Sequence, residues 1–270
     1  MRKRIAIAGA VIGTTAGIGI GRVARTWRTW GIDPDERTKV LAGDELVASP
    51  SAIETRAITV DAPPEAVWPW LTQMGFDRGG WYSYDQLDMG GSSAVRILPG
   101  YRAIEVGDII PTSPTTGFLV RAVEPRRALV LYSDTAIVRD QAATAATMDA
   151  QGPVPAGLAA SGAFLGRTPQ DFAASWAFVL EPLDGGRTRL IERFRVRFEA
   201  PPQTFRVIGP IMGFGVFAMV RRQLLGIKER AEITAIAPPV ERAEVAVTRA
   251  PANGRSVAPV VETEVVAAGT

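Results

Sequence analysis

Apolar and polar positions near the start of the folded region follow two different periods. Residues 53–60 alternate apolar with polar side chains and end in β-branched ones, which is typical of a half-buried strand. Residues 64–74 repeat apolar side chains at helical spacing, begin with a proline suited to a first helical turn, and stop at Gly75. The pattern therefore predicts a strand followed by a short helix.

A run of further strands follows, with short turns between them. Six segments have the alternation and composition of strands: residues 103–106, 108–111, 117–124, 128–137, 175–181 and 187–198. The last two are joined at residues 184–186 by a strong hairpin signal. Such short connections imply antiparallel pairing. Residues 139–171 have little β-propensity, and we predict that they form a long loop insertion.

The longest helical pattern lies at residues 203–233. An apolar stripe at helical spacing runs through it from Phe217 to Ala231, and most of its charged side chains lie off this stripe. Residues 207–220 are uncharged and apolar on all sides, which predicts deep burial or contact with lipid. Residues 236–270 show no periodicity, so we predict a disordered tail.

The N-terminal 30 residues differ from the rest in hydropathy and charge. Residues 5–21 are apolar or small apart from two threonines, and residues 1–30 contain six basic side chains and no acidic one. As a helix, these 17 residues would span about 25 Å, the short limit for crossing a membrane. We expect a single N-terminal membrane anchor and a membrane-associated protein; a cleaved signal on a secreted protein and a buried helix in a cytoplasmic one stay open. Residues 31–52 are polar and predict a linker with one short helix.

Composition excludes several kinds of site. The chain has no cysteine and no histidine, which excludes disulfides, a thiolate nucleophile, a Ser-His-Asp triad and a His-ligated zinc. The net charge of +2 argues against a general nucleic-acid binder. Because the acidic residues also lack the spacing of a calcium loop, we predict no metal and no cofactor.

Several segments resemble the SRPBCC superfamily, which includes START domains, Bet v 1-like proteins and polyketide cyclase/dehydrase-like proteins, and in particular bacterial members with an N-terminal hydrophobic segment. These segments are ITVDAPPEAVWPWLTQMG, RGGWYSYD, SWAFVLEPLDGGRTRLIERFRV and RRQLLGIKERAE. The resemblance covers roughly residues 53–235. It implies an α+β helix-grip (START-like) domain, in which a curved antiparallel sheet wraps around a long C-terminal helix, here preceded by a hydrophobic helix. It also implies an internal apolar pocket that holds lipids, sterols or polyketides, and it carries no catalytic set over to this chain.

The Gly-rich aromatic stretch at residues 76–100 is one candidate ligand-binding region. Within it we single out Arg78, Trp81, Tyr82 and Tyr84. The three aromatic rings can line a pocket wall, and a tyrosine hydroxyl can orient a ligand. An ion pair between Arg78 and the nearby Asp85 would fix the loop. The alternative is a structural loop packed over the edge of the sheet.

The strand at residues 187–198 is the other candidate. Its alternation places Leu190, Glu192 and Phe194 on a face that should point at the pocket. The arginines at 189, 193, 195 and 197 lie on the opposite face, which should point to solvent or to lipid headgroups. Glu192 would have its pKa raised by desolvation and would serve as a ligand anchor or a general acid/base; alternatively, it bonds a neighbouring arginine or tyrosine. Met219 on the closing helix is a further candidate for ligand contact.

Three functions are compatible with these observations. The first is binding or carriage of a hydrophobic small molecule (a lipid, sterol or polyketide-like compound) in an internal cavity at a membrane. The second is a polyketide cyclase/aromatase-like enzyme that uses Tyr, Glu and Arg groups. The third is a non-binding, membrane-associated structural domain. We favour the first, a binding protein rather than an enzyme, whose partners are the hydrophobic ligand and, through residues 1–30, the membrane.

Overall fold

The computed structural model describes five stretches of the chain, which are residues 26–88, 92–101, 103–147, 171–198 and 202–236, with the side chains of 145–147 and 202–212 left aside. The predicted N-terminal anchor up to residue 25, most of the predicted insertion and the predicted tail from residue 237 lie outside these stretches. Among the described helices, none combines the length and the apolar character needed to cross a bilayer.

Six strands form one curved antiparallel sheet. They are β1 (Ala52–Val60), β2 (Ile109–Pro111), β3 (Gly117–Glu124), β4 (Ala128–Asp134), β5 (Phe172–Leu183) and β6 (Arg187–Phe198). Their order in the sheet is β1-β6-β5-β4-β3-β2, so β2 to β6 form a meander and β1 adds to the last strand. The pairing of β3 with β4 shifts register between Val120 and Ala122, an irregularity of the kind that bends and twists a sheet.

Four complete α-helices lie within the described residues. They are α1 (Pro64–Thr72), α2 (Asp85–Asp88), α3 (Thr135–Thr147) and α4 (Pro202–Ile236), and α4 packs against α1 and β1. The core between the sheet and helices α1 and α4 consists of fully buried side chains from all three parts: Phe178 and Leu190 from the sheet, Trp70 and Leu71 from α1, and Leu224 and Ile227 from α4. This is the α+β helix-grip architecture, and the fold prediction is confirmed.

One predicted strand is absent and another ends earlier than predicted, because side chains close turns at both places. Residues 103–106 lie within the described chain but are not a strand; Asp108 accepts the Glu105 N–H at 2.8 Å and closes a turn instead. Strand β4 ends at Asp134 rather than at residue 137, because the Asp134 carboxylate accepts the Ile137 N–H at 2.8 Å and caps the first turn of α3. Residues 139–147, predicted as part of a loop, are therefore helical.

The segment of residues 31–48, predicted as a linker, covers the outer face of the sheet. It contains two 3-10 turns, Asp35–Arg37 and Asp44–Val47, where one short helix was predicted. Arg193 of β6 is 3% exposed and donates to the Asp44 carboxylate at 2.8 Å. It also donates to the backbone carbonyls of Glu36 and Lys39, at 2.8 and 2.7 Å.

The prediction that the arginine face of β6 points to solvent is therefore wrong for three of its four members. Arg189 donates to the Glu36 carboxylate at 2.6 Å, and Arg195 donates to the Val47 carbonyl at 3.0 Å. Only Arg197 keeps a side chain that is about half exposed, at 53%. The reason is that acidic groups and free carbonyls of residues 31–48 supply the counter-charges and acceptors, so the arginines are buried with partners.

Candidate functional site

The core-facing side of the sheet is closely packed at one end and partly accessible at the other. Phe178, Leu180 and Leu190 are each at most 2% exposed. Further along the same face of the neighbouring strands, Trp176 and Phe194 are only half-buried. The accessible end of the concave face therefore lies beyond these two aromatic side chains.

Trp176 is the centre of an aromatic cluster at this end, which we define as Trp81, Phe118, Trp176 and Phe194. The Trp176 ring stacks on Trp81 with centroids 5.5 Å apart, meets Phe118 edge-on at 5.6 Å, and meets Phe194 edge-on at 6.2 Å. Rings of this size offer a large apolar surface with defined orientation. The cluster is thus suited to contact with a hydrophobic ligand.

Glu192 lies next to Trp176 of the aromatic cluster. It is on the core-facing side of the sheet, as the alternation along β6 predicts. Its side chain is fully buried and accepts a hydrogen bond from Trp176 Nε1 at 2.7 Å. Its other oxygen accepts from a guanidinium nitrogen of Arg56 at 3.3 Å. Burial raises the pKa of Glu192 to about 7, because the cost of desolvating the charged form outweighs the attraction of Arg56. The contact with Arg56 confirms the alternative prediction, in which Glu192 is bonded to a neighbouring arginine.

Arg56 is a member of the site that the sequence analysis missed. It stands opposite Glu192 in the β1–β6 pairing, is fully buried, and also forms an ion pair with Glu54. Its Nε donates to the Trp27 carbonyl at 3.1 Å. Burial alone would lower the pKa of Arg56, but the Glu192 and Glu54 carboxylates raise it above its usual value. The alternation of side chains along β1 could have identified it. Arg56 is two residues from Ile58 and so lies on the same strand face, which packs against the core.

Of the predicted aromatic residues in the Gly-rich loop, one joins the cluster and two do not. Trp81 is 7% exposed and stacks on Trp176. Tyr82 is 1% exposed, and its hydroxyl donates to the Trp70 carbonyl at 3.0 Å, while burial raises its pKa. Tyr84 is 43% exposed. The two tyrosine hydroxyls are therefore not brought to Glu192.

Arg78 contacts a backbone carbonyl and an aromatic ring instead of forming the expected ion pair. It donates to the Thr72 carbonyl at 2.7 Å and lies over the ring of Tyr101, 4.7 Å from its centroid. The predicted pairing with Asp85 is wrong, because the Asp85 carboxylate accepts from the N–H and the hydroxyl of Ser93, at 2.8 and 2.6 Å. Burial lowers the pKa of Arg78. Arg78 thus links α1 to the loop.

Residues of α4 and of the chain before β1 meet beside the Arg56 guanidinium. Trp27 packs against Phe214 at 5.0 Å and Phe217 at 6.5 Å, and Trp30 meets Phe217 edge-on at 6.4 Å. The predicted ligand contact Met219 is half-buried on the same helix, where its carbonyl accepts from the Ser83 hydroxyl at 2.9 Å. Through the Trp27 carbonyl, this group of residues is connected to Arg56 and so to Glu192.

A concavity with a volume of about 240 Å³ lies away from the aromatic cluster, at the end of the outer face beside α3. Its walls include Tyr132, whose hydroxyl donates to the Asp134 carboxylate at 3.1 Å, and an ion pair of Arg197 with Asp171 at 3.7 Å. These walls are charged and open to solvent, which suits a hydrophobic ligand poorly. In the described parts of the chain, no group of three or more acidic side chains is placed to hold a metal ion.

No protein-family model matches the chain, and no curated protein matches it in sequence. Among solved structures, a conserved protein from Geobacillus kaustophilus is 13% identical, with a TM-score of 0.36, and the match covers 68% of this chain and 97% of that one. The Zhui aromatase/cyclase from a Streptomyces species is 15% identical with a TM-score of 0.26, covering 73% and 99%.

A polyketide-cyclase-like protein from Corynebacterium glutamicum is 16% identical with a TM-score of 0.24, covering 71% of this chain and 94% of that one. The similarity to all three is weak in both sequence and superposition. The assignment of a helix-grip fold rests instead on the strand order, the antiparallel pairing and the packing of α4.

Proposed function

We propose that the protein binds a hydrophobic small molecule against the aromatic cluster, with Glu192 as the polar group that orients it. One observation carries this proposal. Trp176 belongs to the half-buried cluster and, at the same time, donates a hydrogen bond to the fully buried Glu192 carboxylate. An apolar surface with one polar group behind it is the usual composition of a small-molecule site.

The protonation of Glu192 supports a ligand with a single hydrogen-bonding group. With a pKa of about 7, the carboxyl is present in both forms near neutral pH. The charged form accepts from a ligand hydroxyl, and the protonated form also donates to a ligand carbonyl. Fatty acids, sterols and polyketide-like compounds each combine an extended apolar body with such a group.

A polyketide cyclase/aromatase-like activity is the second candidate. In its favour, a carboxyl with a pKa near 7 suits general acid–base catalysis at neutral pH. Against it, the tyrosine that such chemistry would use is missing from the cluster, since Tyr82 bonds the Trp70 carbonyl and Tyr84 is exposed. Among the residues that the structure describes, Glu54, Arg56 and Glu192 converge without a tyrosine, so the geometry favours binding over catalysis.

The membrane part of the proposal rests on sequence. The apolar run at residues 5–21 has basic residues on both sides and tryptophans at 27 and 30, which is the arrangement of a membrane anchor with interfacial side chains. In this proposal the domain holds its ligand while attached to a bilayer.

Quenching of tryptophan fluorescence tests ligand binding directly. The full-length protein is titrated with palmitate, cholesterol and an anthraquinone, and the Trp176→Phe variant is compared with a Trp68→Phe control, which removes a half-buried indole of α1 instead. We expect Trp176→Phe to weaken binding about 5-fold, since one lost aromatic contact and hydrogen bond is worth about 1 kcal/mol. Trp68→Phe should bind like the wild type.

Native mass spectrometry of protein purified from its own host, with solvent extraction, complements the titration. A co-purified lipophile that is lost in Trp176→Phe supports the proposal. If no compound is recovered and no member of the panel binds, ligand binding is refuted and a non-binding structural domain takes its place.

A further inference from the structure

An exposed apolar patch lies where the start of the described chain crosses α4. We call it the interfacial patch and define it as Trp27, Phe214 and Phe217, whose rings contact one another. Phe214 is 51% exposed, on a helix whose later residues Leu224 and Ile227 are fully buried. Large apolar side chains grouped together at a surface mark a site of contact with a partner or a membrane.

The charged side chains next to the interfacial patch are cationic. Arg28 has a side chain that is 53% exposed, and its nearest carboxylate, at 3.9 Å, is Glu54, which is already paired with Arg56. Arg221 lies over the Trp30 ring, 5.1 Å from its centroid, and has no carboxylate within 4.0 Å among the residues that the structure describes. In sequence, α4 carries no acidic residue before Glu229.

This combination matches the chemistry of an anionic bilayer surface. Tryptophan rings are favoured at the level of the lipid headgroups, and phenylalanine on an interfacial helix inserts into the apolar layer below them. Arginine binds phosphate while its aliphatic part stays in the apolar layer. Each basic side chain near an anionic leaflet adds attraction that falls off within a Debye length. A negatively charged protein surface would satisfy the arginines but would leave the three apolar side chains without an apolar layer.

The distance along the chain places the interfacial patch near the predicted anchor. Trp27 follows the end of the apolar run at residue 21 by six positions. Fully extended, six residues reach at most about 22 Å. If residues 5–21 are in the bilayer, as the proposed function holds, Trp27 cannot be further than this from the end of the anchor.

We propose that the interfacial patch docks on the surface of an anionic bilayer and holds the open end of the ligand site against the lipid. The inference rests on the membrane part of the proposed function. Trp27 is the connection, because its ring belongs to the patch while its carbonyl bonds Arg56, the partner of Glu192. A hydrophobic ligand then passes between bilayer and aromatic cluster without crossing water.

Single-cysteine labelling tests this in the full-length protein, which has no cysteine of its own. A fluorescent NBD label is attached to Phe214→Cys, and as a matched control to Ile236→Cys, which is 84% exposed at the other end of the same helix. The proteins are reconstituted into phosphatidylcholine vesicles with and without phosphatidylglycerol. We expect a blue-shifted emission, quenched at least 2-fold by nitroxide-labelled lipid, at position 214 but not at 236.

Removing the two cations tests the electrostatic part. The double variant Arg28→Gln with Arg221→Gln should lose at least half of the quenching at position 214 in vesicles containing phosphatidylglycerol. Quenching at 214 no stronger than at 236 would overturn the proposal. So would a blue-shifted label that lipid-borne nitroxide does not quench, because the patch would then be covered by protein, either another part of this chain or a second copy.

The same samples separate this inference from the proposed function. Titration with the hydrophobic ligand panel reports binding at the aromatic cluster independently of the label. Retained ligand binding without lipid contact at 214 refutes the docking surface alone. Failure of the full-length protein to float with vesicles refutes the anchor, and the docking inference falls with it.

Discussion

Replacing Glu192 by glutamine should make the stability of this protein less dependent on pH. The substitution keeps the size of the side chain and a hydrogen-bond acceptor for Trp176 Nε1, but it removes the ionisable proton. Because Glu192 is fully buried, its charge state acts on the folded protein far more than on the unfolded chain. The variant therefore isolates the free energy of ionising one carboxyl inside the core.

The size of the effect follows from the pKa. Burial raises the pKa of Glu192 from its ordinary value of 4.5 to about 7, which at about 1.36 kcal/mol per unit corresponds to roughly 3 kcal/mol. Since the folded state binds the proton more tightly, this stabilisation is complete below pH 4.5 and is lost as the pH rises through about 7. At about pH 8 the wild type should have lost up to ~3 kcal/mol relative to Glu192→Gln.

Urea-induced unfolding at a series of pH values, followed by circular dichroism, measures this difference. The Trp176→Phe variant is an internal check. The indole N–H stabilises the charged carboxylate, so its loss should raise the pKa of Glu192. The pH range over which the wild-type fold loses stability should then shift upward in the variant. A difference between wild type and Glu192→Gln that stays flat with pH, or a wild type that gains stability on the alkaline side, would refute the reasoning. It would mean that Arg56 holds the carboxylate in its charged form.

The other two predictions concern packing and use pairs of variants measured by urea unfolding. Arg193→Ala should lower the free energy of unfolding by about 3–5 kcal/mol, because the Asp44 carboxylate and two backbone carbonyls lose a buried donor. Arg197→Ala, which removes a half-exposed ion pair, should lower it by at most ~1 kcal/mol. Gly226→Ala should cost roughly 1–3 kcal/mol by overpacking, because its new Cβ would lie 2.3 Å from the Tyr82 carbonyl oxygen. Gly213→Ala, with nothing within 4 Å of the added Cβ, should instead be neutral or stabilising by about 0.5–1 kcal/mol.

For each pair of variants, one result would contradict the prediction. Equal losses for the two arginine variants would show that residues 31–48 are not held on the sheet by Arg193; hydrogen exchange of amides 36–47 reports the same contact locally. A Gly226→Ala protein as stable as Gly213→Ala would show that α4 does not approach the Tyr82 carbonyl as closely as described.

Local patterns predicted most of the secondary structure. The bounds of β3 and β6 match at both ends, and α4 extends the predicted helix by one residue at the start and three at the end. These elements combine a clear period with turn or helix signals, and both are properties of neighbouring residues. The failures at residues 103–106 and at the end of β4 arise where Asp108 and Asp134 bond the backbone N–H three residues away.

The site was predicted only in part, for a different physical reason. Alternation along β6 is a local property, and it placed Glu192 on the core face, where burial raises its pKa. The identity of its partner is not local: Arg56 lies 136 residues earlier in the chain and meets Glu192 only through the register of β1 on β6.

Period and turn chemistry depend on adjacent residues, so the chain order was enough to predict most of the elements, their antiparallel pairing and the face on which Glu192 lies. Which charges are neutralised depends instead on how distant segments pack together. Arg193 has the same sequence pattern as the half-exposed Arg197, yet it is buried because residues 31–48 bring Asp44 onto the outer face. Burial and pairing are set by what the rest of the chain packs against a position, and that is a property of the whole fold.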